Sequence, residues 1–174
     1  VTACVIMQLM NHLTRSQVMR PFALYLDELC NAGRIPHYER HISLVRGQGL
    51  ALFQIIQDFG QLRRVYGRNE AETILACSNT KIFFPGVGKE EAEYASELVG
   101  ETTVKTSSIH RSHTGVSDSV SFTRRRLMNP DEVRRMRKRE LLVIASNVAP
   151  MRLRSRPYFR SRRLRQLTEL PQVY

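Results

Sequence analysis

The chain has 174 residues, the length of one ordinary domain, with 42% apolar residues and no tryptophan. That composition is enough to bury a core and excludes a wholly disordered chain, while apolar-rich runs such as Leu50–Ile56 and Leu141–Ala145 fall far short of the roughly 20 residues that span a bilayer. The net charge of +11 is unevenly placed: residues 1–104 carry 10 basic against 11 acidic side chains, residues 105–174 carry 17 against 5.

An arginine-rich block of this density attracts phosphate polymers or anionic membrane surfaces through electrostatics that ignore sequence. The chain opens at Val1 in what reads as mid-helix sequence, without a secretory leader, and is expected to be a piece of a longer protein. Cys4, Cys30 and Cys77 are odd in number, far apart and set in apolar stretches, as buried thiols of a reducing compartment are.

Residues 1–19 carry apolar side chains at helical spacing, and Pro21 ends that helix. Phe22-Ala23-Leu24-Tyr25-Leu26 follows without polar alternation and stops at Asp27-Glu28, as a strand buried on both faces does. Asn31, Gly33 and Pro36 make a loop, His37–Val45 an amphipathic helix, and Leu50–Gln57 a second buried strand. Gln61–Tyr66 and Glu70–Cys77 read as helices broken at Gly67, and Thr80–Phe84 as a third strand. Lys89–Val99 is a helix with acids in its first turn and Gly100 at its end. Residues 105–121, rich in serine and threonine, form a polar connector, extended or carrying a strand. Asn129 and Pro130 open a short helix, Leu141–Ser146 is a fourth strand, and Pro150–Arg154 a short edge element. Residues 159–174 are expected to be a loosely ordered basic tail, leaving 1–158 as the folded domain. Strands alternating with helices predict an α/β fold with a mostly parallel sheet flanked by helices.

In such sheets ligands gather at the carboxyl ends of the strands. An apolar strand ending in Asp-Glu has the Walker B pattern, in which Asp27 would hold magnesium and Glu28 would polarise the water that attacks a γ-phosphate. The same pair could instead cap a neighbouring helix. Gln57 ends the next strand as a γ-phosphate sensor would, and Arg46 lies in a glycine-flanked turn from which it could reach a neighbouring subunit's phosphate. His37 and His41 have a metal-ligating spacing but no third ligand, and His110 and His113 fall in the connector. No GxxxxGK[ST] phosphate loop occurs in the chain, so the chain alone is expected to bind ATP poorly.

Several segments recur in a familiar order: Phe22–Leu29, Gly33-Arg34-Ile35, Arg46-Gly47-Gln48-Gly49-Leu50, Ile55-Ile56-Gln57-Asp58-Phe59-Gly60-Gln61-Leu62, Val65-Tyr66-Gly67, Ser78–Ile82, Ala92–Gly100 and Arg125–Val133. Together they resemble the C-terminal half of the motor domain of type IV coupling proteins, the TraG/TraD-type ATPases of conjugation and type IV secretion, over roughly residues 1–158. The resemblance implies a RecA-like P-loop NTPase fold, of which this is the Walker B half without its phosphate loop. It implies a homo-hexamer that uses ATP and Mg2+ to pump single-stranded DNA, with its relaxase and accessory DNA-processing proteins, into a secretion channel. It also implies an anchor, N-terminal to the motor, at the cytoplasmic face of the inner membrane, the piece itself being soluble and inactive alone.

By the same resemblance Asp27 binds magnesium, Glu28 and Gln57 act on water and γ-phosphate, Arg46 is the inter-subunit finger, and Asn79 is a polar residue at the nucleotide. Gln57-Asp58 departs from the Gln-Ser of many relatives and adds a negative charge beside the expected phosphates. Arg124, Arg125, Arg126, Arg134 and Arg135 are the candidate nucleic-acid contacts. The competing readings are another RecA-like DNA translocase and a truncated, non-enzymatic module that binds nucleic acid or protein.

Overall fold

The structure is a computed structural model that describes residues 2–15, 22–45, 47, 49–112 and 115–168. These residues divide into two units, Val1–Asn79 and Thr80–Tyr174.

The first unit holds helix α1 (Thr2–Arg15), strand β1 (Phe22–Leu26), helix α2 (Tyr38–Val45), strand β2 (Leu50–Gln54), and helices α3 (Phe59–Tyr66) and α4 (Arg68–Cys77). β1 and β2 pair in parallel, with Phe22 opposite Leu50 and Leu26 opposite Gln54. A parallel pair needs a long crossover, and the segment carrying α2 supplies it. Helices α3 and α4 break at Gly67, whose φ of 87° lies where only glycine sits without strain. The core gathers Met10, Leu26, Leu29, Ile35, Tyr38, Leu50, Leu62, Tyr66 and Ile74.

The expectation that β1 and β2 are covered on both faces fails. Leu24, Leu26, Leu50 and Leu52 face or border that core, but Tyr25 (69% exposed) and Phe53 (49%) stack on the other face with ring centroids 4.5 Å apart, and Ile55 is exposed beside them. β2 is also shorter than expected: beyond Gln54, Ile55 bonds Leu26 at the end of β1 and Leu29 in the turn that follows, where the strand ladder has ended.

The second unit holds strand β3 (Thr80–Phe83), helix α5 (Lys89–Val99), strands β4 (Glu101–Ser112) and β5 (Gly115–Arg126), helix α6 (Pro130–Arg134), strands β6 (Glu140–Ala145) and β7 (Met151–Arg154), and helix α7 (Arg162–Thr168). β3, β6 and β7 form an antiparallel sheet in that order, with β7 as the expected edge. Parallel pairing is therefore confined to β1–β2 among the described strands. The short link between β6 and β7 allows only antiparallel pairing. Phe83, Ala92, Ala95, Met128, Val133 and Leu142 make this unit's core.

The serine- and threonine-rich stretch is not a bare connector but the middle of a two-stranded ribbon, β4–β5, registered from Glu101 opposite Arg126 to Ser112 opposite Gly115. Its base is fixed to α5: Arg126 bonds Glu93 at 3.0 Å, the buried Ser96 hydroxyl donates to the Met128 carbonyl at 2.6 Å, and the Leu127 amide donates to Gly100. The α6 start is closed by Glu132, whose carboxylate accepts the Asn129 amide at 2.7 Å. Within the expected tail, Tyr158–Arg160 form a 3-10 turn and α7 follows, exposed along its length; residues beyond 168 lie outside the described ones. No helix among the described residues is long and apolar enough to cross a membrane.

Candidate active site

β1 delivers Asp27 and Glu28 to its carboxyl end, where the chain must leave the sheet at once. Glu28 does so in the left-handed region, at φ 53° and ψ 60°, and opens a 3-10 turn over Leu29–Ala32. That conformation costs a residue with a Cβ about 1–2 kcal/mol. Bonds on both sides of it hold it in place: the Ile55 amide donates to the Leu26 carbonyl at 3.0 Å, and the Leu29 amide to the Ile55 carbonyl at 2.9 Å. The turn after β1 is thereby tied to the end of β2.

This brings two of the sequence-derived candidates into contact. The Gln57 side-chain amide donates to Glu28 Oε1 at 2.8 Å, while Asn31 donates to the other carboxylate oxygen. Glu28 and Gln57 are both exposed, so the pair faces solvent rather than the core. The two donors, one on each oxygen, fix the plane of the carboxylate. Asp27 is exposed too and makes no hydrogen bond or ion pair among the described residues. It caps no neighbouring helix.

Beneath the pair a second chain of bonds sets the end of β2. The Tyr38 hydroxyl donates to Gln54 Oε1 at 2.8 Å, Gln54 Nε2 donates to Ser78 Oγ at 2.6 Å, and Ser78 returns its proton to the Ile74 carbonyl at 2.9 Å. Tyr38 is fully buried, and that burial pushes its phenol well above its ordinary range, so it stays a donor. Asn79 follows Ser78 directly and is exposed, its backbone positioned by this relay.

Asp58 does not simply add charge next to Gln57. It is the N-cap of α3, and its carboxylate accepts the Gln61 amide at 2.6 Å, a task that serine also performs. Arg46 lies outside the described residues. His41 is buried in α2 with Nδ1 unpartnered among the described residues, and burial, with His37 second, lowers its pKa. No cluster of three or more His, Cys, Asp or Glu side chains able to hold a metal occurs among the described residues.

The candidate arginines belong to the second unit. Arg124 and Arg125 are exposed on β5, and Arg126 is held by Glu93. Arg134 and Arg135 line, with Gly86, Val87 and Asp131, an open recess of about 270 Å3, where Arg135 lies 3.6 Å from Asp131.

Sequence reasoning missed Asn31, Tyr38, Gln54 and Ser78. Asn31 stands three residues after Glu28, the spacing of a 3-10 turn, but nothing in the sequence announced that turn in place of a loop. The other three are linked only by the fold.

A parallel strand pair whose carboxyl ends carry an acidic pair and a contacting amide is a feature of an α/β protein. The coordinates are similar to those of the bacterial conjugative coupling protein TrwBdeltaN70 in its unbound form, with a TM-score of 0.73 at 19% identity over 87% of this chain and 36% of that one. TrwB in complex with ADP and Mg2+ gives a TM-score of 0.66 at 18% identity, over 86% of this chain and 34% of that one. Residues 4–173 match the family described as Type IV secretory system Conjugative DNA transfer, and the chain belongs to it. It is 34% identical over 141 residues to the conjugal transfer protein TraG of Rhizobium radiobacter, a match that takes in 78% of this chain and 22% of that protein. The chain thus corresponds to part of a type IV coupling protein and spans about a fifth of that relative's length.

Proposed function

We propose that the protein containing this chain is the ATPase motor of conjugative DNA transfer, with its water-activating residue at Glu28. The observation that carries this reading is the 2.8 Å bond from Gln57 to Glu28 at the adjacent ends of two parallel strands. A general base and a γ-phosphate sensor need to share one water, and these two side chains already share a hydrogen bond. Asp27, exposed and without a partner among the described residues, fits a magnesium-bound nucleotide, as the ADP and Mg2+ complex of the structurally similar TrwB supports. Bound there, the metal would neutralise phosphate charge. Glu28 takes the proton of the attacking water, Gln57 orients that water, and Asn79 borders the nucleotide. Arg46 reaches the site of a neighbouring subunit in a homo-hexamer.

The work done is the movement of single-stranded DNA, with relaxase and accessory proteins, into a type IV secretion channel at the cytoplasmic face of the inner membrane. Arg124, Arg125, Arg126, Arg134 and Arg135 give the second unit its attraction for DNA, for which its net charge of +9 is suited. The test is ATP turnover with and without single-stranded DNA, on this chain within its longer protein, for the parent and for Glu28→Gln. DNA-stimulated turnover that the variant loses supports the motor. Equal turnover in both places the base elsewhere, and no turnover in either leaves a binding module.

A further inference from the structure

The β4–β5 ribbon carries a feature that the candidate arginines alone do not explain. In its register Lys105 stands directly opposite Phe122, and Thr103 opposite Arg124, so Lys105, Phe122 and Arg124 share one face. Phe122 is 71% exposed, and Lys105 and Arg124 are exposed as well. Neither cation has an ion-pair partner among the described residues, whereas Arg126, nearer α5 on the same face, is held by Glu93. The ribbon is therefore anchored at its base and carries, farther out, an exposed aromatic ring between two positive charges that have no ion-pair partner among the described residues.

We propose that this face is a stacking site for single-stranded nucleic acid: an unpaired base lies on the Phe122 ring while Lys105 and Arg124 contact the flanking phosphates. Lys105 and Arg124 are diagonal neighbours across the ribbon, about 7–8 Å apart, close to the spacing of consecutive phosphates in an extended single strand. An aromatic ring accepts any base, so the contact is independent of sequence, as a translocated strand requires. An anionic lipid surface would also attract the two cations. Among the described side chains of this face Val120 is the apolar neighbour of Phe122, and one ring with one valine offers little apolar area to a bilayer, so the nucleic acid is favoured. The inference rests on the DNA-moving reading above and names the contact that reading leaves open.

Because the chain has no tryptophan, Phe122→Trp installs a single reporter at the proposed site. Titrating the full chain carrying this change with an oligo-dT strand is expected to quench its fluorescence, while duplex DNA of equal length binds without comparable quenching. Phe122→Ala is expected to weaken oligo-dT binding by roughly fivefold or more. A Lys105→Glu, Arg124→Glu double variant is expected to weaken it further and to flatten its salt dependence. Circular dichroism and melting of each variant check that the fold is kept. Binding of oligo-dT without quenching, and with Phe122→Ala unchanged, overturns the proposal. So does a fluorescence response to phosphatidylglycerol vesicles but not to oligo-dT, or no binding of oligo-dT at all. The Glu28→Gln turnover assay reads the motor independently, so each of these outcomes can stand while the motor reading survives.

Discussion

The two units spend their polar groups in opposite ways. In residues 1–79 the polar side chains around the strand ends bond one another: Gln57 and Asn31 to Glu28, Tyr38 to Gln54, Gln54 to Ser78. That unit has 8 basic and 6 acidic residues, a net of +2. In residues 80–174 there are 19 basic and 10 acidic residues, a net of +9, and many arginines point into water. A bonded cluster fixes atoms to fractions of an ångström, which chemistry needs. A surplus of exposed charge fixes nothing and attracts at long range, which holding a polyanion needs. On the proposed reading catalysis falls to the first unit and grip to the second, and that division breaks if a variant in one unit produces the other unit's effect.

The largest expected effect is on turnover. In the longer protein, Glu28→Gln should lower DNA-stimulated ATP hydrolysis by roughly 10²–10⁴-fold while leaving DNA affinity unchanged. A parallel fall in DNA affinity would merge the two roles and remove the contrast.

Next comes Gln57→Glu, which replaces a donor 2.8 Å from Glu28 with a second carboxylate. Two carboxylates at that distance repel, which favours protonation of one of them and weakens Glu28 as a base until the pH rises. Turnover at neutral pH should fall by about 10²-fold, with the acid limb of its pH profile displaced upward. A fall with no displacement would mean that Gln57 acts on something other than Glu28.

How far these sites could be read from the sequence follows the same division. The end of β1 was legible because an apolar run that stops at a carboxylate pair marks where a strand leaves the sheet, whereas β2 ends at Gln54 and Gln57 stands three residues beyond it. The covering of those strands was not legible. Tyr25 and Phe53 are as apolar as a doubly covered strand requires, yet in this chain they stack against each other in the open. The chain spans 22% of the TraG it matches, so the layer for which those side chains are suited need not lie within it. The ribbon was obscure for the opposite reason. The sequence of this two-stranded ribbon carries no sustained apolar alternation, so Ser107, Ser108, Ser119 and Ser121 read as linker although they pair in register. Asp58 was legible as a charge but not as a cap, because the α3 amide that uses it becomes visible only once the helix start is placed.

The third variant acts on stability alone. Tyr38→Phe removes the hydroxyl that donates to the half-buried Gln54 and leaves that acceptor without its partner, which costs about 1 kcal/mol. Hydrogen exchange should quicken over residues 22–79 and stay unchanged over residues 80–145. Faster exchange in both would show that the units unfold together.

The smallest effect concerns acid. His41 is buried and its pKa is lowered, mainly by that burial and then by His37, so folding holds the imidazole neutral. The unfolded chain, with an ordinary histidine pKa near 6.5, binds the proton more readily than the folded one does. The stability this neutral form contributes is complete above about pH 6.5 and is lost as the pH falls toward the lowered folded value. Melting of the first unit should therefore drop between pH 7 and pH 5, and His41→Leu, which fills the space without titrating, should flatten that drop. A drop that persists unchanged in His41→Leu would assign the acid sensitivity to other groups, such as carboxylates, rather than to His41.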